Sequence, residues 1–251
     1  MPATHIHIEP VDDVAVVRLD RAPANAFDLS LARELDAALV DVESSDAKSL
    51  VLTGSGSFFS AGLDLKVVPG YSKSEQRDMI LALGKMIGRL YAISRPTIAA
   101  VNGHGVAAGT LLALACDYRV GPVGDYRFGL TGARVGIPYP IAVQAVIESE
   151  LDSATTRIML LGAEQFGPDE AVAKGILDEL REPGEVLERA IEAARQRSQM
   201  PAVTYGRIKR QLRAVALKRI HAANHSGDDP SLESWMTSDS ADASAEALDS
   251  S

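Results

Sequence analysis

Two glycine-containing turns, each directly after a short apolar segment, are the parts of this sequence whose residue types could support chemistry. One occupies residues 57–66 after the apolar residues 49–53, and the other occupies residues 102–105 after the apolar residues 97–101. Where a strand turns directly into a helix, the first N–H groups of the helix have no partner within it. Such donors can bind an anion or a polarised carbonyl oxygen. A single turn of this kind equally fits a tightly packed strand–helix unit, so the inference depends on the pair.

The residues after the second turn are small enough for a ligand to approach the backbone closely. Ala107, Ala108 and Gly109 have little or no side chain. They stand in a run of small and apolar residues, 106–115, that predicts a buried helix.

The elements that must position these turns alternate between strands and helices. Residues 14–19 predict a strand that pairs with residues 5–8 through a turn at Asp12 and Asp13. Residues 31–43 have apolar side chains at helical spacing, with Asp28 or Ser30 as the cap. From position 141 onward only helices are predicted, at residues 141–151, 153–161 (capped by Ser153), 168–174, 184–199 and 202–222. This order favours an α/β core followed by a helical C-terminal part.

Composition excludes several classes of protein. The net charge of −9 over 251 residues, with no basic stripe, argues against a nucleic-acid surface. His5 and His7 lack a third nearby ligand, so we expect no metal site. The longest apolar run is about half of a membrane span, no signal peptide is evident, and the lone Cys116 fits a reducing compartment. A cytoplasmic protein without membrane contact is expected.

Further motifs accompany the two turns in order along residues 14–180. The segments are RLDRAPANAF at 18–27, FSAGLDLK at 59–66, AVNGHGVAAG at 100–109 with its continuation at 115–117, GIP at 136–138, and residues 166–180. This ordered set resembles the motifs of the crotonase (enoyl-CoA hydratase/isomerase) superfamily.

The resemblance implies a fold and a substrate class. The implied fold is α/β, a crotonase-like spiral of ββα units with a C-terminal helical region that mediates trimers. We therefore expect a spiral core at residues 1–185 and a helical region at 186–224. The Ser/Asp-rich composition of residues 225–251 predicts a flexible tail, from which Leu232 and Trp235 could dock. The implied ligand is an acyl-CoA thioester, so coenzyme A belongs to the substrate and no separate cofactor is expected. The implied assembly is a homotrimer or a dimer of trimers.

The resemblance also assigns residues to the site. The two backbone N–H groups of an oxyanion hole fall on Leu63 and Ala108, where they would stabilise a thioester enolate. The implied or candidate substrate-binding residues are Ala24, Ala61, Gly62, Asp64, Leu65, Lys66, Thr131 and Arg134. Lys66 could reach a CoA phosphate or remain a solvated lysine. Asp64 is expected to organise its turn, and His104 to have a structural role.

The sequence lacks the two carboxylates that hydration requires. These groups activate water and protonate the α-carbon of an enoyl-CoA. The resemblance assigns them to positions occupied here by Leu111 and Gly132, and isomerases keep only the second. Gly132→Glu would test whether one restored carboxylate is sufficient for hydration or isomerisation.

Three functions remain open at this point. The first is an enzyme of the enoyl-CoA hydratase/isomerase type with other proton-transfer residues. The second is decarboxylation or thioester hydrolysis around Tyr139, whose phenol could donate a proton or orient a carboxylate, or could simply form an aromatic wall of the acyl pocket. The third is a non-catalytic acyl-CoA binder. Arg134 could bind a substrate carboxylate or form a surface ion pair.

Overall fold

The computed structural model of the protein describes residues 5–226 and 229–235. The strands are β1 (Ile6–Val11), β2 (Val14–Leu19), β3 (Ser49–Gly54), β4 (Phe58–Ser60), β5 (Thr97–Ala100), β6 (His104–Val106), β7 (Tyr118–Pro122), β8 (Phe128–Gly129), β9 (Gln165–Phe166) and β10 (Glu179–Arg181). The α-helices are α1 (Leu29–Ser44), α2 (Lys73–Ala92), α3 (Ala108–Leu114), α4 (Ile141–Glu150), α5 (Ser153–Gly162), α6 (Pro168–Ala173), α7 (Val186–Ser198), α8 (Ala202–Leu212), α9 (Ala214–Ser226) and α10 (Ser231–Ser234).

The larger sheet has the strand order β1-β2-β3-β5-β7-β10. Strands β1 and β2 form the predicted antiparallel hairpin, and the other neighbouring pairs are parallel. Parallel neighbours need a long crossover connection, which α1 and α2 provide. Every residue of β3 is buried, as expected for a strand covered on both faces.

A smaller sheet, in the order β4-β6-β8-β9, positions the two turns. The units β3-β4-α2, β5-β6-α3 and β7-β8-α4 each place one strand in the larger sheet and the next in the smaller one. Because β4 and β6 are parallel neighbours, with Ser60 opposite Gly105, the segments that follow them leave the sheet at the same edge. The helix predicted from residue 106 begins at Ala108, since Val106 still pairs with β8.

The caps of the helices have identifiable causes. Asp28 caps α1 by accepting from the Leu31 N–H, and Ser72 forms a capping box with Glu75 at the start of α2. The cap of α5 is Asp152 rather than the predicted Ser153, because its carboxylate accepts from the N–H groups of the second and third residues of the helix.

The C-terminal helices are held to the core by a buried group of charged side chains. The prediction of one helix at 202–222 is wrong, since the chain breaks at Arg213 into α8 and α9. The Arg213 guanidinium is buried and donates to Tyr91 O, while Nη2 lies 3.1 Å from the Asp117 carboxylate. Lys209 Nζ lies 2.8 Å from the same carboxylate. The shared carboxylate therefore ties the end of α8 to the core.

The segment that follows α9 also packs against the core. Helix α9 runs to Ser226, and Trp235 is buried with its indole N–H donating to Pro138 O at 3.1 Å. The rest of the predicted tail, residues 227–228 and 236–251, lies outside the described residues. In residues 5–226 and 229–235, no helix combines the length and hydrophobicity needed to cross a membrane.

Candidate active site

An apolar cavity opens where the two glycine-containing turns meet. Its wall is made by Ala61, Leu63, Leu65, Leu83, Ala107, Ala108, Leu111, Leu130, Thr131, Gly132, Val135, Ile137, Pro138, Tyr139, Pro140, Val143 and Trp235. These residues come from both turns, from α2, α3 and α4, from the irregular segment before α4 and from the C-terminal segment. Among the described side chains of this wall, only Tyr139 can titrate.

The first turn leaves the N–H of Leu63 available. Leu63 faces Phe27 in an isolated parallel bridge. The hydrogen bonds of this bridge do not involve the Leu63 N–H: the Phe27 N–H donates to Gly62 O, and the Asp64 N–H donates to Phe27 O. The Leu63 N–H is therefore left for a ligand at the cavity wall.

The second turn leaves the N–H of Ala108 available. Ala107 has a positive φ of 50°, which turns the chain abruptly from β6 into α3. Ala108 is the first residue of α3, so its N–H has no acceptor inside the helix. Both Ala107 and Ala108 line the cavity.

Glycines bring the two turns into contact. Gly62 has φ +96°, and a Cβ there would lie 2.5 Å from Ala107 Cβ and 3.4 Å from Ala108 N. A Cβ on Gly109 would lie 2.4 Å from Ser60 O. Only glycine allows this approach, which places the N–H groups of residues 63 and 108 in neighbouring segments of one cavity wall. Two such donors can bind one carbonyl oxygen and stabilise the negative charge that develops on it.

Tyr139 occupies the space that a side chain at position 132 would need. The Gly132 N–H donates to Tyr139 Oη at 2.7 Å. A Cβ on Gly132 would lie 2.6 Å from Tyr139 Cζ and 2.6 Å from Ile137 O. Burial raises the pKa of Tyr139, so the phenol stays protonated at neutral pH and can donate a hydrogen bond into the cavity.

Comparison with known proteins identifies the family. The enoyl-CoA hydratase/isomerase family model matches residues 9–247. The chain belongs to the enoyl-CoA hydratase/isomerase family. A putative enoyl-CoA hydratase of Thermus thermophilus is 34% identical over 182 residues, covering 70% of this chain and 71% of the relative. The 4-chlorobenzoyl coenzyme A dehalogenase-2 of Arthrobacter sp is 31% identical over 214 residues, covering 83% of this chain and 77% of the relative.

Solved structures of the enoyl-CoA hydratase/isomerase family share the fold. The crystal structure of human mitochondrial delta3-delta2-enoyl-CoA isomerase superposes with a TM-score of 0.90 at 28% identity, covering 98% of this chain and 97% of that chain. The predicted crotonase-type fold of ββα units with a C-terminal helical region is thereby confirmed. Family membership indicates an acyl-CoA-binding enzyme. The relatives carry the names of different reactions, so they leave the reaction of this family member open.

Most residues that the family resemblance suggested lie in or beside the cavity. Ala61, Leu63, Leu65, Ala108 and Thr131 line it. Ala24 lies next to the wall, because Ala24 O accepts from the Ala61 N–H at 3.0 Å. Leu111, at one of the positions assigned to a carboxylate in family hydratases, is buried in the wall.

Three charged residues of the prediction lie outside the cavity wall. Asp64 accepts from the Lys66 N–H at 3.1 Å and pairs with Arg21 at 3.2 Å, which fits the expectation that Asp64 organises its turn. Lys66 is exposed. Arg134 donates to Ala163 O at 3.1 Å, so the described residues give it a carbonyl partner rather than the ion pair that the sequence suggested.

His104 is also outside the wall. It lies between the rings of Phe58 and Tyr126, and its Nδ1 accepts from the Arg127 N–H at 3.2 Å. Burial lowers the pKa of His104, and a neutral imidazole packed between aromatic rings fits the expected structural role.

Sequence reasoning placed Trp235 only as a residue that could dock, and missed Leu83, Val143 and the prolines of the wall. The pattern of apolar residues in α2 and α4 predicts buried helices but does not say which buried residues border an empty space. That information exists only once the helices are packed.

Proposed function

We propose that the protein binds an acyl-CoA thioester with its acyl group in the apolar cavity and its carbonyl oxygen at the N–H groups of Leu63 and Ala108. There the thioester would react through an enolate. The observation that carries the proposal is the pair of N–H donors, left without partners inside their own turns and brought together by Gly62 and Gly109. Loss of one oxyanion-hole donor costs an enzyme about 3 kcal/mol of transition-state stabilisation, so two donors aimed at one carbonyl oxygen would contribute substantially to catalysis.

The coenzyme A part of the substrate would run along the backbone near Ala24, Asp64 and Leu65. Lys66 is exposed beside this path and makes no ion pair with the described residues, so it can reach a CoA phosphate. The proposal needs no cofactor beyond the coenzyme A that the substrate brings. It keeps the expectation of a cytoplasmic enzyme.

Hydration by the standard two-carboxylate mechanism has little support. Leu111 and Gly132 occupy the positions assigned to the acids, and no carboxylate is among the described residues of the cavity wall. Tyr139 is the titratable group in contact with the acyl space. We propose that its phenol orients the substrate or donates a proton.

Two other functions keep a specific observation in their favour. Decarboxylation or thioester hydrolysis is favoured by Tyr139, whose hydroxyl is, with that of Thr131, one of two hydroxyl groups among the described residues of the wall. A non-catalytic acyl-CoA binder is favoured by the apolar residues at both acid positions.

Calorimetric titration with a panel of CoA thioesters, followed by mass spectrometry of each mixture, separates these functions. Binding with a change of mass or of isomer names the reaction. Binding with every thioester returned unchanged supports the non-catalytic binder. A panel without any binding would overturn the assignment of a CoA site.

The N–H pair is tested by a matched ligand rather than by a substitution that would disturb the turns. Butanoyl-CoA and its thioether analogue S-butyl-CoA differ by the carbonyl group. Two hydrogen bonds of about 0.5–1.5 kcal/mol each predict that the thioester binds roughly 5- to 150-fold more tightly. Equal affinities would contradict the placement of the carbonyl at Leu63 and Ala108.

We also propose that the protein forms the trimer, or dimer of trimers, implied by the resemblance. Large apolar side chains are exposed along α8 and the start of α9: Val203, Ile208, Leu212 and Val215. Such a patch is typical of an interaction surface. A light-scattering mass equal to the 26.6 kDa of one chain would refute the assembly, and Leu212→Lys is expected to lower the mass of an assembled protein.

A further inference from the structure

One wall of the cavity is supplied by the C-terminal segment at residues 229–235. Trp235 lies in the cavity wall together with Pro138, Tyr139 and Pro140, and only 2% of it is exposed. Its indole N–H donates to Pro138 O at 3.1 Å, which fixes the ring against the segment that carries Tyr139. The largest side chain of the wall therefore comes from a part of the chain remote from both glycine-containing turns.

A buried aspartate holds this segment in place. Asp229 Oδ2 accepts from the Ile141 N–H at the start of α4, at 2.7 Å. Asp229 Oδ1 accepts from the Ser231 N–H at 2.9 Å and from the Ser231 hydroxyl. The carboxylate thus links the start of α10 to the start of α4. Val143 of α4 and Trp235, directly after α10, both line the cavity.

The composition of the wall favours uncharged over charged acyl groups. None of the described residues that line the cavity carries a charge, and Thr131, Tyr139 and Trp235 supply its polar side-chain atoms. A carboxylate on the acyl group would lose its hydration without gaining a cationic partner, which is strongly unfavourable.

We infer that Trp235 is the residue that sets acyl specificity, and that the cavity accepts uncharged apolar acyl groups whose length is limited by the indole ring. This inference rests on the proposed function and names its substrate class. Asp229 is the positioning residue that keeps the ring in the wall.

Trp235 is the one tryptophan of the sequence, so intrinsic fluorescence reports directly on the cavity. Titration with hexanoyl-CoA is expected to shift or quench the emission, because the acyl chain then contacts the indole. Free coenzyme A, which brings no acyl group, is expected to leave the emission unchanged. A thioester that binds by calorimetry but leaves the emission unchanged would overturn the inference.

The length limit is tested with saturated thioesters from acetyl- to dodecanoyl-CoA on the wild type, Trp235→Phe and Trp235→Ala. Each buried methylene is expected to tighten binding about fourfold until the chain meets the ring. Both substitutions enlarge the space, so the chain length of tightest binding should increase, more for alanine than for phenylalanine. Asp229→Ala should change the profile in the same direction.

Ile220→Ala is the matched control, because Ile220 is buried in α9 but does not line the cavity. It should lower stability without moving the length profile. An unchanged profile in both Trp235 variants would overturn the inference.

The expected preference for uncharged acyl groups is tested by comparing butanoyl-CoA with succinyl-CoA, whose acyl groups have equally long chains. We expect succinyl-CoA to bind no more tightly than free coenzyme A. Equal affinity for the two thioesters would overturn the substrate class but leave the CoA site intact. If no thioester binds the wild type at all, the proposed function itself fails, and this inference fails with it.

Discussion

The two ends of α3 border regions of opposite character. At its start, Ala108 and Leu111 face a cavity whose wall has no charged side chain. Three residues beyond its end, Asp117 lies among Lys209 and Arg213, two cations that are at least 90% buried. Arg213 Nε lies 3.4 Å from Glu150, and Arg119 pairs with Asp178 at 2.9 Å in the same region.

The comparison shows where this protein uses its buried charges. In the region around Asp117, each of the charged side chains named above has a partner of opposite sign, and these side chains join α8 and α9 to the core. In the cavity, the polar groups offered to a ligand are backbone N–H groups and the hydroxyls of Thr131 and Tyr139. Charge serves assembly of the fold, whereas the site depends on backbone geometry.

The largest expected effect is on stability, from Asp117→Ala. It leaves the buried Lys209 and Arg213 without their shared carboxylate. Breaking a buried ion pair by removing one partner costs about 3–5 kcal/mol, measurable as a lower free energy of unfolding in urea. Asp125→Ala is the control, because Asp125 is exposed and pairs with Arg127 at the surface; about 1 kcal/mol or less is expected. Similar small losses in both variants would remove the distinction between the two regions.

An intermediate effect is expected in the cavity from Gly132→Ala. The new Cβ would lie 2.6 Å from Ile137 O and 2.6 Å from Tyr139 Cζ, and overpacking of this kind costs about 1–3 kcal/mol. Gly70→Ala is the matched control, since nothing lies within 4 Å of a Cβ there, and a change within about 0.5 kcal/mol is expected. An unfolding curve of Gly132→Ala that overlays the wild type would show that Tyr139 moves aside freely.

The same contact changes how a restored carboxylate must be tested. Gly132→Glu alone would collide with Tyr139, so its failure to hydrate crotonyl-CoA would say nothing about the rest of the scaffold. The informative comparison is Gly132→Glu against Gly132→Glu combined with Tyr139→Ala. We expect any gain of hydration or isomerisation only in the double variant; a gain in the single variant would show that the Tyr139 ring does not block the position.

The smallest expected effect is on alkaline stability, and it compares one tyrosine from each region. Burial raises the pKa of both Tyr139 and Tyr205, and Asp117 raises the pKa of Tyr205 further. A raised pKa in the folded protein gives stability that is present below pH 10 and lost as the pH increases above that value. Because Tyr205 is partly exposed, the free energy of unfolding that is lost through its ionisation at pH 11 is no more than about 1 kcal/mol.

Urea unfolding between pH 9 and pH 11 measures this effect. Tyr205→Phe should reduce the decrease of the free energy of unfolding between pH 9 and pH 11 more than Tyr139→Phe does. The pKa of Tyr205 is raised more than that of Tyr139, because an anionic phenol at position 205 would face the Asp117 carboxylate. If Tyr139→Phe reduced the alkaline decrease in stability more than Tyr205→Phe, the contrast between the two regions would be reversed.

Local patterns were sufficient to predict most of the elements. The apolar run in residues 14–19 and the apolar spacing after Asp28 predicted β2 and α1 with their turn and cap. The single helix predicted at 202–222 was wrong because no glycine or proline marks the break at Arg213. The local sequence pattern therefore carries no signal for it.

The sequence by itself determined the family, the two glycine-containing turns and the absence of acids at positions 111 and 132, because these depend on residue identity and order. Only the tertiary structure decided that Gly62 and Gly109 bring the turns together, that Tyr139 fills the space beside Gly132, and that Trp235 closes the cavity. Each of these depends on contacts between residues far apart in the chain, and such contacts are decided by packing rather than by local preference.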